Sequence, residues 1–220
     1  MRLSEALLRT VLAVAWAIIA PVASAQNEPH VVSERGTSLF GMEARGHRFV
    51  YVLDRSASTA DHEGVALRAA KKELLKSLDR LDDVQQFQIV FYNHRPRVFT
   101  AQGGSGRLVF AGDSGRRSAR RFVESIAADG GTDHAAALEV AARLRPDAIF
   151  LVTDGDQSDD LDAAGVRRLG DLLGGTRLMV VQFVTGAAGG SPRLAELAAS
   201  TGGESIVLDP IAASDTERQR

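Results

Sequence analysis

Three short polar runs carry the side chains best suited to chemistry in this sequence: Asp54-Arg55-Ser56-Ala57-Ser58, Gly130-Gly131-Thr132-Asp133 and Thr153-Asp154-Gly155. Together they offer the hydroxyls of Ser56, Ser58 and Thr132 and the carboxylates of Asp54 and Asp154. Oxygen donors of this kind suit a hard divalent cation, Mg2+ or else Mn2+ or Ca2+. The chain contains no cysteine, which removes thiolate zinc sites, iron–sulfur clusters and any cysteine nucleophile. His30, His47, His62 and His94 show no ligand-like spacing. Asp133 and His134, beside Thr132, read as helix-start and rim residues.

Each run follows or precedes an element that would position it. The continuous apolar stretch 49–53 is a strand buried on both faces, and it runs straight into Asp54. The stretch 148–152 is a second such strand and leads into Thr153-Asp154. Ala119, Phe122, Val123 and Ile126 set the buried stripe of a helix that Gly130-Gly131 stops, and Thr132 then opens a helix over 135–144. Elsewhere the spacing predicts a helix over 64–81, strands over 87–92 and 97–100 joined by a turn, and a helix over 160–173. A strand over 178–184, a helix over 192–200 and a strand over 206–208 complete the pattern. Strands alternating with amphipathic helices imply an α/β fold: a doubly wound, mainly parallel central sheet flanked by helices. Ligands bind beyond the carboxyl ends of the strands in such folds, where all three runs fall.

The 220 residues, 45% hydrophobic and 25% charged, suit one globular domain. A net charge of −2 and 5% aromatics argue against a nucleic-acid partner, which would need clustered cations or stacking rings. Arg2 and Arg9 precede an apolar stretch, and Ala23-Ser24-Ala25 follows Pro21. This is the pattern of a secretion signal cut near Ala25, too short for a bilayer span of about 20 residues. The expected location is therefore secreted or periplasmic, with no membrane span after cleavage, and a cysteine-free exported chain suits a bacterial envelope. The expected organisation is a signal (1–25), a linker with room for an edge strand (26–45), one folded domain (46–208) and a tail (209–220).

The three runs in this order resemble the von Willebrand factor type A (vWA) domain with its metal-ion-dependent adhesion site (MIDAS), over roughly 49–208. The family pattern is Asp-x-Ser-x-Ser after the first strand, a Thr in a later loop, and an Asp, often as Thr-Asp-Gly, after a hydrophobic strand. Thr59 stands where bacterial relatives often carry Met, a position that is not a ligand. The resemblance implies a Rossmann-like vWA fold and a metal site of Asp54, Ser56, Ser58, Thr132 and Asp154. It implies direct binding by Ser56 and Ser58, joined by Thr132 in the ligand-competent state, with Asp54 and Asp154 acting mostly through bound waters. A cation held mainly by neutral hydroxyls keeps charge to spare and attracts an outside anion. The implied partner is a protein that supplies an acidic side chain to the metal, and the implied activity is binding, not catalysis.

Local alternatives exist for each residue. Ser56 and Ser58 can cap the following helix, Thr132 can cap the next, and Asp154-Gly155 can be a plain turn. Asp156, Asp159, Asp160 and Asp162 can begin a solvated helix, and Arg116, Arg117, Arg120 and Arg121 can line one. Two alternatives concern the whole chain. One is a Mg2+-dependent phosphohydrolase of the haloacid dehalogenase type with Asp54 as nucleophile. It needs a second Asp where Ser56 stands, so the leaving group would lack its proton donor. The other is a vWA scaffold that holds no metal.

Overall fold

A computed structural model describes residues 36–101, 106–154, 161–185 and 189–211. In chain order the elements are β1 (Gly36–Leu39), β2 (Met42–Arg45), β3 (Arg48–Asp54), α1 (Asp61–Asp79), β4 (Gln86–Tyr92), β5 (Arg97–Val98) and β6 (Val109–Phe110). Then follow α2 (Asp113–Glu124), α3 (His134–Ala142), β7 (Ala148–Thr153), α4 (Ala163–Leu172), β8 (Arg177–Phe183), α5 (Pro192–Ser200) and β9 (Ser205–Leu208). The expected secretion signal, the linker up to residue 35, Asp156, Asp159 and Asp160 of the acidic run, and the tail from 212 lie outside the described residues. No described helix is long and apolar enough to cross a membrane.

The main sheet has the order β5-β4-β3-β7-β8-β9. Strands β4, β3, β7, β8 and β9 run parallel, while the short β5 and β6 pair antiparallel with β4. The apolar runs are strands because both of their faces must be covered. Phe49, Tyr51 and Leu53 of β3 face one core, with Leu74, Leu78 and Val123 of α1 and α2. Val50 and Val52 face the other, with Leu138, Leu169 and Leu197 of α3, α4 and α5. This is the period-two alternation of a strand read against two helical layers.

Topology places the site. Chain order runs outward from β3 through β4 to β5 in one direction, and from β7 to β9 in the other. The sheet therefore changes direction between β3 and β7, and a crevice opens beyond their carboxyl ends. Asp54 ends β3 and Thr153 ends β7.

Two local expectations change. Helix α2 ends at Glu124, six residues before Gly130, because the chain from 127 onward is held by Arg55: its guanidinium donates to the Ala127 carbonyl, and its own carbonyl accepts the Asp129 N–H. Residues 36–45 do not form an edge strand of the main sheet; β1 and β2 pair with each other antiparallel. Phe40 and Gly41 both have positive φ, which closes a tight hairpin turn. Leu39, Met42 and Ala44 join the core on the α1 side. There Thr37, Ser77 and Tyr51 form a buried hydroxyl cluster, with both Thr37 Oγ1 and Tyr51 Oη 2.8 Å from Ser77 Oγ. Burial pushes the Tyr51 phenol up to about 12.

Candidate functional site

The turn after β3 folds back on its own carboxylate. Ser56 N–H donates to Asp54 Oδ1 at 2.8 Å, and Ser56 Oγ lies 3.0 Å from Ser58 Oγ. Thr59 Oγ1 donates to the Ser56 carbonyl at 2.7 Å, closing the short 3-10 turn Ala57–Ala60. Ser56 occupies the cap position of that turn, but its side chain makes no capping bond. The local explanation of Ser56 as a helix cap therefore fails, and its hydroxyl is presented together with that of Ser58. The next residues, His62, Glu63 and Gly64, have left-handed φ values of 51°, 61° and 70°, so the regular part of α1 starts at Val65.

The second aspartate arrives on the neighbouring strand. Thr153 Oγ1 donates to Asp54 Oδ2 at 2.9 Å, which joins the ends of β3 and β7 through side chains. Asp154 follows directly, and both of its carboxylate oxygens are shielded from solvent. Asp54 is only 3% exposed. Burial first, and the charge of Asp154 second, push its carboxyl up from the ordinary 3.8 to about 6, against the hydrogen bonds of Ser56 and the influence of His134. Two carboxylates forced together out of water are an electrostatic liability that a divalent cation would relieve. No group of three His, Cys, Asp or Glu side chains is placed to hold a metal among the described residues. A cation here thus depends on the hydroxyls as well as the two carboxylates, and the donor set fits a hard ion.

The loop carrying Thr132 is stitched to the same edge. Ala57 N–H donates to the Gly130 carbonyl, Asp129 N–H to the Arg55 carbonyl, and Asp133 N–H to the Asn93 carbonyl. Asn93 Nδ2 also donates to the backbone and side chain of Asp129, at 2.8 and 2.7 Å. The Arg55 guanidinium pairs with the Asp129 carboxylate, which draws the cation of the first motif toward this loop. Gly130 has φ +74°, and a Cβ there would lie 2.6 Å from His94 Nδ1 and 2.9 Å from Asn93 Nδ2, so the close approach needs glycine. The cap of α3 is Asp133, which accepts from Ala136 N–H at 2.9 Å. Thr132 is therefore not needed as a cap. It is half-buried, and among the described residues no hydrogen bond joins its hydroxyl to Ser56, Ser58 or the aspartates.

The structure thus joins Asp54, Ser56 and Ser58 by hydrogen bonds, sets Asp154 against Asp54, and brings Thr132 to the same edge on an anchored loop. It also adds residues the motifs did not single out. His134 is not a rim residue: it is 3% exposed, its Nε2 lies 3.2 Å from Thr153 Oγ1, and its ring packs against Tyr92 with centroids 5.7 Å apart. Tyr92 ends β4 fully buried; its phenol is held well above the usual range by burial and then by the charge of Asp54. Asn93, the next residue, organises the Thr132 loop. Both sit at the carboxyl end of a central strand, and that position alone marked them. Arg116 and Arg120 pair with Asp83 and Asp79, tying α2 to the end of α1. Asp162 caps α4 by accepting from Gly165 N–H.

No protein-family model and no curated protein matches the sequence. Solved structures do match. A von Willebrand factor type A protein from Catenulispora acidiphila superposes with a TM-score of 0.64 at 23% identity, over 81% of this chain and 42% of that one. BatB, a conserved hypothetical protein from Bacteroides thetaiotaomicron, matches with a TM-score of 0.54 at 18% identity, over 79% of this chain and 98% of that one. Proximal thread matrix protein 1 from the mussel byssus, with a zinc-occupied MIDAS motif, matches with a TM-score of 0.54 at 17% identity, over 79% of this chain and 44% of that one. The chain therefore spans less than half the length of the first and third of these proteins. The fold is that of the von Willebrand factor type A domain.

Proposed function

We propose that this vWA-fold chain is a metal-dependent binding module, in which Asp54, Ser56, Ser58, Thr132 and Asp154 hold a divalent cation and an acidic side chain of a partner protein completes its coordination. The observation that carries the reading is the paired burial of Asp54 and Asp154 beside the Ser56–Ser58 hydroxyl pair at the crevice between β3 and β7. The cation would neutralise the two carboxylates and, held largely by neutral oxygens, retain affinity for an external carboxylate. The chain's own residues do the rest: Ser56 N–H and Thr153 O–H orient Asp54, and Asn93 and Arg55 fix the Thr132 loop. Mg2+ is the expected cation, with Mn2+ or Ca2+ as alternatives. The zinc in the mussel protein's site is a reason to include Zn2+ among the ions tested. The 1–25 segment supports export to the envelope or beyond.

The phosphohydrolase reading is disfavoured by the residue two positions after Asp54. It is Ser56, whose hydroxyl lies against Ser58 Oγ, and it cannot replace a carboxylic acid as proton donor at neutral pH. The test is retention of envelope proteins on the immobilised chain in Mg2+ and again in EDTA, with Ser56→Ala and Asp154→Ala as controls. A partner lost in EDTA and in both variants supports the reading. A partner retained equally throughout overturns metal-bridged recognition.

A further inference from the structure

We propose that His134 and Thr153 are positioning residues for this site, a two-step donor chain that fixes the orientation of Asp54 and ties it to the Thr132 loop. The inference rests on the cation reading above but concerns residues outside the ligand set.

The proton count decides the direction of the chain. A threonine hydroxyl carries one proton, and that of Thr153 is donated to Asp54 Oδ2 at 2.9 Å. Toward His134 Nε2, 3.2 Å away, the Thr153 oxygen can then only accept. His134 must therefore carry its proton on Nε2 and donate it. The result is a run of donors from His134 through Thr153 to Asp54, crossing from the first residue of α3 to the last of β7 and the last of β3. Asp54 receives Ser56 N–H on one oxygen and Thr153 O–H on the other. With a donor on each oxygen, the plane of the carboxylate is fixed from both sides.

A histidine present only to fill space would need no aimed nitrogen. Here the ring packs against Tyr92 in a tilted contact, at 5.7 Å and 57°, and Nε2 meets the hydroxyl. His134 also lies two residues after Thr132 and one after the Asp133 cap. Movement of the Thr132 loop therefore pulls on the same chain that orients Asp54. Partners that orient a metal's carboxylate or imidazole ligands in this way commonly change affinity by 10–100-fold when removed.

The test measures Mn2+ affinity by the loss of the free-ion electron paramagnetic resonance signal, together with the 15N shifts of the His134 ring in metal-free protein. His134→Leu and Thr153→Val, which keep bulk and remove the donor, should weaken Mn2+ binding by roughly 10-fold or more. His134→Gln and Thr153→Ser, which restore a donor, should recover most of it, a pattern that loss of packing would not produce. Because the two act in series, the double variant His134→Leu/Thr153→Val should bind about as well as Thr153→Val alone. The ring shifts should report the Nε2–H tautomer. A wild type with the Nδ1–H tautomer overturns the proposal. So does equal Mn2+ affinity in wild type, His134→Leu and Thr153→Val, and in that case the cation reading stands. A wild type that leaves the Mn2+ signal unchanged overturns the cation reading and this role with it.

Discussion

Removing the charge of Asp54 should stabilise the metal-free protein at neutral pH and abolish its stabilisation by metal. Asp54 is 3% exposed, and burial followed by the charge of Asp154 raises its pKa from 3.8 to about 6. A carboxyl whose folded pKa is raised binds its proton more tightly in the native state. Its contribution to stability is therefore complete below about pH 4 and is lost as pH rises through about 6. At 1.36 kcal/mol per pH unit the loss is roughly 3 kcal/mol. For a domain of this size that corresponds to about 6–12 °C in Tm. Asp54→Asn keeps an oxygen for Ser56 N–H but sets an amide against the Thr153 hydroxyl, which adds an offset that does not vary with pH. The informative quantity is thus the difference in Tm between Asp54→Asn and wild type in EDTA. It should grow by about 6–12 °C in favour of the variant between pH 4 and pH 7. Mn2+ at about 1,000 times its Kd should reverse the order, because it stabilises the wild type by about 4.1 kcal/mol and the variant not at all. Far-UV circular dichroism follows the melting, and the near-UV signal of the buried Tyr51 and Tyr92 gives an independent probe. A difference in Tm that stays constant from pH 4 to pH 7 would show that Asp54 titrates at its ordinary value. The charge repulsion that gives a cation its motive here would then be refuted.

Asp147 should show the opposite pH dependence. Burial works against its ionisation, but the N–H groups of His47 and Arg48, at 2.6 and 2.9 Å, outweigh it and lower its pKa. Its stability is present above the ordinary carboxylate pKa and lost as pH falls through the lowered one, so Asp147→Asn should lower Tm at pH 7 and converge with wild type in acid. Ser77→Ala leaves the buried Tyr51 and Thr37 hydroxyls without their shared partner; it should cost about 1–3 kcal/mol in urea unfolding, less in a Tyr51→Phe background. Gly130→Ala forces a left-handed backbone and a Cβ 2.6 Å from His94 Nδ1. It should cost about 1–2 kcal/mol for the backbone alone and weaken Mn2+ binding, whereas Gly175→Ala, also at positive φ but with no neighbour near its Cβ, should leave Mn2+ binding unchanged.

The sheet was legible because β3 and β7 are short runs apolar on both faces, a length that suits a strand between two helical layers better than a buried helix. The end of α2 was not. Gly130-Gly131 looks like a helix stop, yet the helix has already ended at Glu124 and the glycines serve the loop that meets Ala57. What decides this is a set of bonds across more than 70 positions in sequence, from the Arg55 guanidinium to the Ala127 carbonyl and the Asp129 carboxylate and from Asp129 N–H to the Arg55 carbonyl. No local propensity encodes such a contact. The hairpin at 36–45 was hidden for a different reason: four-residue strands give little alternation, and its turn uses Phe40 at positive φ, where Asn or Asp would have been a clearer signal.

The same distinction divides the site. Asp54, Ser56 and Ser58 are close in sequence, so their spacing alone announces a cluster of oxygens, and Asp154 follows from the rule that ligands gather at strand ends. His134 reads from sequence as a helix-start and rim residue, because imidazole is a poor ligand for a hard cation. The structure places it two hydrogen bonds from Asp54, the proposed ligand, through Thr153. There the relevant property is an N–H held rigid and dry, and imidazole supplies that well. Reading a residue only against the ion discards the groups that act through a ligand. Asn93 and Tyr92 escaped notice for the same reason: each is defined by what it holds, Asp129 and His134, and those partners are brought to it only by the parallel pairing of β4, β3 and β7.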